Sequence, residues 1–116
     1  MTKLYEYLIG NEFSNTTLAY RGLDSEENLH INLASQPNDW YYRNKTITYQ
    51  YNEYGHRCKS IHDIDLDNYI LFAGCSHTEG VGLELETTFP YLVSNQLGND
   101  YYNMGGRRGR KRYNAV

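Results

Sequence analysis

The sequence has few cysteines and lacks any long apolar run. Its two cysteines, Cys58 and Cys75, do not suggest a disulfide scaffold. The apolar stretches fall far short of the ~20 residues that cross a membrane, and the N-terminus lacks the apolar stretch of a signal peptide. These absences predict a cytoplasmic protein in a reduced setting, without a membrane partner.

The length and composition limit the chain to one small domain. A chain of 116 residues holds one domain at most, and folding at this size buries roughly 65% of the unfolded chain's surface. The apolar fraction of 40% includes 13 tyrosines. Because tyrosine keeps a polar hydroxyl, part of this set is expected at half-buried surfaces.

The net charge of −3 hides an asymmetry along the chain. All 14 acidic residues precede residue 107, where only 6 of the 11 basic residues lie, so residues 1–106 carry −8 and residues 107–116 carry +5. A basic run can bind nucleic acid, but an acidic body repels phosphate. We therefore expect no nucleic-acid partner and interpret residues 110–116 as a disordered basic tail.

Residues 1–68 are expected to form a β-rich N-terminal extension. Residues that favour strands dominate 40–51, with a plausible turn at 43–45, so the pattern predicts a β-hairpin at residues 40–54. Asp-Ser-Glu-Glu at residues 24–27 is typical of either a helix start or a solvated loop.

Residues 69–109 carry the pattern of a βαβ unit. The unbroken apolar run at 70–73 predicts a central strand covered on both faces. A helix should follow, capped by Thr87 or Thr88, with Pro90 in its first turn and Gly98 at its end. Residues 101–104 predict a second, parallel strand. The helix carries one apolar stripe, formed by Phe89, Leu92, Val93 and Leu97.

A serine among glycines follows the first of these strands. The sequence reads Gly-Cys-Ser-His-Thr-Glu-Gly-Val-Gly at residues 74–82. Gly74 lets the chain bend, and Gly80 and Gly82 let the backbone lie close to a ligand. Backbone N–H groups in such a loop can point at a developing oxyanion. The structural alternative is that Ser76 only caps the turn after the strand.

This segment resembles the first motif block of the SGNH hydrolases, also called GDSL-like lipases and acylhydrolases. That block runs Gly-Asp-Ser-x-Thr-x-Gly, and Cys75 stands at its Asp position. Residues 86–92 resemble the helix after it, and residues 101–105 resemble the strand and Asn-x-Gly that open block two. Upstream, residues 51–57 resemble an Asn-x-x-Gly-Tyr-Arg segment of smaller members. The resemblance covers roughly residues 40–109.

The resemblance implies a fold and a reaction. The fold is a three-layer α/β/α sandwich with a parallel sheet, of the flavodoxin-like kind. The reaction is serine-dependent hydrolysis of a small ester or acyl substrate, with Ser76 as the nucleophile and, through its N–H, as one oxyanion donor. The oxyanion glycine of block two corresponds best to Gly109, with Gly105 and Gly106 as alternatives.

Two family motifs are missing from the sequence. They are the Gly-x-Asn-Asp of the oxyanion hole and the Asp-x-x-His that supplies the general base. The chain is therefore interpreted as the N-terminal part of an SGNH hydrolase, weak or inactive by itself. The alternative is a non-catalytic binding or structural module on the same half-fold. A half sheet exposes an edge and apolar helix faces, which predicts self-association.

The sequence predicts no cofactor and no metal site. Several histidines and cysteines lie near Ser76 in the sequence, but their spacing fits no zinc-ligand pattern. They are His56, Cys58, His62, Cys75 and His77.

Overall fold

The computed structural model describes residues 8, 10–21 and 24–106. Gly109 and the predicted basic tail lie outside the described residues. No helix in the described part is long and apolar enough to cross a membrane. In chain order, the strands and helices are β1 (Thr17–Leu18), α1 (Glu26–Ser35), β2 (Tyr49–Gln50), β3 (Tyr69–Phe72), α2 (Ser76–Glu79), α3 (Phe89–Leu97) and β4 (Asp100–Asn103).

Strands β3 and β4 form a parallel pair that α2 and α3 connect. Tyr69 pairs with Asp100, and Phe72 pairs with Asn103. Parallel neighbours need a crossover connection, and α3 packs against both strands. The predicted α/β class and the parallel pairing are therefore confirmed.

The predicted helix is present as α3. Pro90 lies in its first turn, and Gly98 ends it in the left-handed conformation with φ of 74°. Thr88 is the N-cap residue, but its hydroxyl donates to the carbonyl oxygen of Leu85 instead of capping the helix. A short 3₁₀ turn, Leu85–Thr87, precedes the helix and brings that carbonyl within reach.

One face of this βαβ unit is open to solvent. Leu71 is 47% exposed, so the prediction of a strand covered on both faces is wrong. Two strands and one packed helix cover a single face. On α3 the buried residues are Pro90 and Ser94. The apolar stripe is exposed by 39% to 63%, as expected for a half sheet; its members are Phe89, Leu92, Val93 and Leu97. Within the stripe, the ring of Phe89 packs edge to face against Phe72 of β3.

The predicted β-hairpin at residues 40–54 is wrong. Tyr41–Asn44 is a 3₁₀ turn, and β2 pairs in antiparallel register with β1, far away in sequence. Arg43 favours this arrangement, because its guanidinium donates to the carbonyl oxygens of Leu33, Gln36 and Pro37. These bonds hold the segment against the end of α1, where a hairpin strand would have to extend.

The N-terminal extension is not β-rich, since its longest element is α1. The Ser25 hydroxyl accepts the N–H of Asn28 at 3.1 Å and caps this helix. Glu26 and Glu27 lie in its first turn, where acidic side chains stabilise the helix dipole. Of the two interpretations of residues 24–27, the helix start is therefore correct.

Two small clusters rich in tyrosine form the core. Around β2, Ile47, Tyr49 and Tyr51 are buried while Thr48 and Gln50 are exposed, which is the period-two alternation of a strand. Buried tyrosine hydroxyls need hydrogen-bond partners. The hydroxyl of Tyr49 bonds to Gly82, and that of Tyr51 bonds to Glu79, close in sequence to Ser76. The second cluster contains Ile61, Ile64 and Tyr102.

Candidate functional site

Ser76 follows a turn that requires glycine. Gly74, just after β3, has φ of 154°. A Cβ atom there would lie 2.3 Å from Thr78 Oγ1, so a larger residue would collide with α2. The carbonyl of Gly74 accepts the N–H of Gly106 at 3.0 Å. This bond joins the loops at the carboxyl ends of β3 and β4, the edge where parallel sheets bind ligands.

Ser76 is the first residue of α2, and its side chain is exposed. Its carbonyl accepts the N–H groups of Gly80 and Val81. Neither its hydroxyl nor its N–H makes a hydrogen bond with any described residue, so both are available to a ligand. His77 is adjacent in the helix, and consecutive helical side chains do not face each other.

Gly105 and Gly106 lie beside α2, but their N–H groups are already used. The N–H of Gly105 donates to Asn103 Oδ1 at 2.8 Å, and that of Gly106 donates to Gly74. A Cβ on Gly105 would lie 2.6 Å from the nitrogen of Glu79, so this position holds the loop tightly against α2. The structure therefore gives Gly105 a packing role and uses the N–H of Gly106 in the bond to Gly74.

The side chain of Asn103 links α2 to the loop after β4. Its side chain is 1% exposed, donates to the carbonyl oxygen of Thr78 at 2.9 Å and accepts the N–H of Gly105. The Asn-x-Gly pattern noted in the sequence is thus a bridge between the serine helix and the loop after β4.

Replacing Asn103 with alanine is expected to destabilise the chain by about 2–5 kcal/mol. The change leaves a buried carbonyl and a buried N–H unpaired, each at about 1–3 kcal/mol. The exposed Asn95 on α3 provides a control, since Asn95→Ala should cost at most about 0.5 kcal/mol. Urea unfolding measures both; equal losses for the two variants would contradict the bridging role.

Glu79 anchors the other end of α2 in a buried ion pair. Its carboxylate accepts both Nε and Nη2 of Arg21, at 3.0 and 3.1 Å, and the hydroxyl of Tyr51. The exposed fractions of the Arg21 and Glu79 side chains are 5% and 1%. Burial alone would lower the pKa of Arg21, but Glu79 and Tyr51 outweigh it and raise that pKa. Burial and the bond to Glu79 raise the pKa of Tyr51.

Arg57 fixes the turn that follows α2. Its guanidinium donates to the carbonyl oxygens of Glu79, Gly80 and Leu83 at 2.8 to 3.2 Å. It also lies 4.5 Å above the ring of Tyr49. Burial lowers the pKa of Arg57. The Asn-x-x-Gly-x-Arg segment found in the sequence therefore serves to clamp the serine loop.

Tyr49 holds the glycine loop from the side of the extension. Its hydroxyl accepts the N–H of Gly82 at 2.8 Å and donates to the carboxylate of Asp24. Burial and the bond to Asp24 raise the pKa of Tyr49. The Tyr49 hydroxyl therefore connects Asp24, which lies just before α1, to Gly82 in the loop that follows α2.

A cavity of about 430 Å³ opens directly beside Ser76. Ser76, His77, Val81 and Gly82 form its inner wall, and the N-terminal extension forms the rest. The volume lies within the usual ~300–1,000 Å³ of small-molecule sites. The extension residues that line it are Ala19, Tyr20, Asp24, Asn28, Leu29, Asn32, Trp40, Tyr42, Lys45, Thr46 and Ile47.

The histidines and cysteines noted in the sequence are dispersed. His56 Nδ1 lies 2.8 Å from the hydroxyl of Tyr102. Cys58 Sγ accepts the N–H of Asn103, and burial raises the pKa of this thiol to about 12. In the described part of the chain, no group of three or more histidine, cysteine or acidic residues could hold a metal ion.

Sequence reasoning proposed Ser76 as the nucleophile but gave no role to the residues that position its loop. Arg21 and Tyr51 are 58 and 28 positions from Glu79, and such distant pairs leave no spacing signal in one sequence. Arg57 did have a sequence signal, because it ends the Asn-x-x-Gly-x-Arg pattern noted at residues 52–57.

Comparison with known proteins adds no relative. The chain matches no protein-family model, no curated protein and no solved structure.

Proposed function

We propose that this chain carries the nucleophilic serine of an SGNH-type hydrolase, with Ser76 attacking the carbonyl carbon of an ester or acyl substrate. The observation that carries the proposal is the exposed Ser76 hydroxyl beside a ligand-sized cavity, at the carboxyl edge of a parallel strand pair. The motif resemblance and the bridge through Asn103 support the same assignment.

The proposed reaction proceeds through an acyl-serine. Ser76 Oγ bonds to the carbonyl carbon, the C–O bond to the leaving alcohol breaks, and water then releases the acid. The N–H of Ser76 is one donor for the transient oxyanion. Since the described residues place no general base against Ser76 Oγ, a water molecule takes the serine proton, and a proton from solvent reaches the departing alkoxide, which leaves as the alcohol.

The open faces support a larger sandwich as part of this proposal. Leu71 on β3 and the stripe on α3 are the surfaces that further strands and helices of a three-layer α/β/α fold would cover. Gly109 remains the proposed second oxyanion donor, because the N–H groups of Gly105 and Gly106 are engaged.

Labelling with a fluorophosphonate tests the assignment of Ser76. The reagent should modify one serine slowly, and peptide mapping should place it at Ser76, because the available N–H of Ser76 can stabilise the negative charge that develops on the phosphonyl oxygen. Ser76→Ala should abolish the label, while Ser35→Ala, on the exposed end of α1, should keep it. Unchanged labelling of Ser76→Ala would contradict the proposal.

The alternative is a non-catalytic module that works through its exposed apolar face. The stripe on α3 favours it, since contiguous exposed apolar surface marks interaction sites. In this case the proposed partner is a second copy of the chain, which would pair its open sheet edge and cover the stripe.

Self-association should follow from this face. Sedimentation velocity is expected to show mass above that of one 13.6 kDa chain, increasing with concentration. Leu92→Lys combined with Leu97→Lys should shift the chain to monomer. Ile31→Lys, a change of the same kind at an exposed position on α1, should not. A monomer at all concentrations would overturn the dimer.

A further inference from the structure

The cavity beside Ser76 combines aromatic rings with polar groups, one of which, the ammonium of Lys45, also lies 4.8 Å from the centroid of the Tyr41 ring. Trp40 and Tyr42 contribute rings that meet edge to face at 6.0 Å. The side-chain amide of Asn32 and the ammonium of Lys45 make no hydrogen bond within the described residues. A ligand in this cavity therefore meets flat apolar surfaces and available donors together.

This combination suits a sugar ring better than an acyl chain. A pyranose has apolar C–H faces that pack on aromatic rings and hydroxyls that bond to amides and carboxylates. An acyl chain would bury the side-chain amide of Asn32 beside methylene groups, and a polar group left unpaired there is costly. The charge of −8 over residues 1–106 also disfavours an anionic ligand such as a nucleotide.

We propose that this cavity binds a neutral saccharide, and that the ester presented to Ser76 is carried on a sugar oxygen. The second half of the statement rests on the proposed function. The first half does not, because saccharide binding needs no reactive serine.

Tryptophan fluorescence measures this binding directly, since Trp40 is the only tryptophan and it lines the cavity. The probes are cellotriose, xylotriose, maltotriose and chitotriose, with octanoate as the acyl probe. At least one saccharide should give a saturable change, with a Kd on the order of 1 mM.

Variants distinguish the cavity from other surfaces. Asn32→Ala should weaken saccharide binding at least tenfold, while Asn38→Ala, at an exposed turn outside the cavity, should not. Saturation by octanoate but by no saccharide would overturn the inference, and so would no response to any probe. Either result leaves the labelling of Ser76 unaffected, so the two proposals fail separately.

Discussion

Replacing Ser76 with alanine is expected to reduce the weak hydrolysis of 4-nitrophenyl acetate by this chain to the rate of the buffer alone. The substitution removes the covalent route through an acyl-serine and leaves only direct attack by water. Alanine suits the first turn of a helix, and the Ser76 hydroxyl makes no bond to a described residue. The loss should therefore come from chemistry and not from unfolding.

Two controls show whether the loss of activity comes from the removed hydroxyl. The thermal melt of Ser76→Ala should match that of the wild type, because the removed hydroxyl is exposed. Ser35→Ala should retain the full rate. Equal rates for Ser76→Ala and wild type would show that any hydrolysis arises elsewhere on the surface.

Replacing Glu79 with leucine is expected to destabilise the chain by about 3–5 kcal/mol. The change leaves the Arg21 guanidinium buried without its carboxylate, and an uncompensated buried charge costs this much. Since small domains are stable by about 5–15 kcal/mol, much of the variant should unfold at low urea. The hydroxyl of Tyr51 loses its acceptor at the same time.

A double variant separates the contribution of the Arg21–Glu79 ion pair from that of the surrounding residues. Arg21→Met with Glu79→Leu removes both charges and should cost less than Glu79→Leu alone. The pair of Lys59, whose side chain is 53% exposed, and the half-buried Asp100 is the control, where Lys59→Ala should cost at most about 1 kcal/mol. A double variant less stable than Glu79→Leu would contradict the ion pair as the main contribution of Arg21.

The sequence predicted the βαβ unit because its signals are local. Pro90 and Gly98 mark the ends of α3 by backbone geometry alone, and the apolar run before Gly74 marks β3. The burial of that strand was not predictable in the same way. An apolar run shows that a strand can be covered, while coverage depends on which other elements reach it, and Leu71 is left exposed.

The N-terminal extension was the least predictable part, because distant contacts decide it. Strand-forming residues at 40–51 suggested a hairpin, but Arg43 binds carbonyls at the end of α1 and turns the chain away. Tyr49 and Tyr51 read as ordinary strand residues. Their importance lies in hydroxyl bonds to Gly82 and Glu79, which one sequence does not reveal.

These contacts give the extension a role in the site. Arg21, Tyr49, Tyr51 and Arg57 fix the loop that carries Ser76, and α1 with the turn at Tyr41–Asn44 builds the outer wall of the cavity. The extension thereby shapes the cavity beside Ser76 as well as packing against the βαβ unit.

The central claim is that Ser76 becomes acylated, and the mass of the intact chain tests it most directly. After brief exposure to 4-nitrophenyl acetate and an acid quench, the chain should gain the mass of one acetyl group, mapped to the peptide that contains Ser76. Ser76→Ala should gain none there. An acetyl group found only on lysine or tyrosine side chains, or equally on both proteins, would contradict the account.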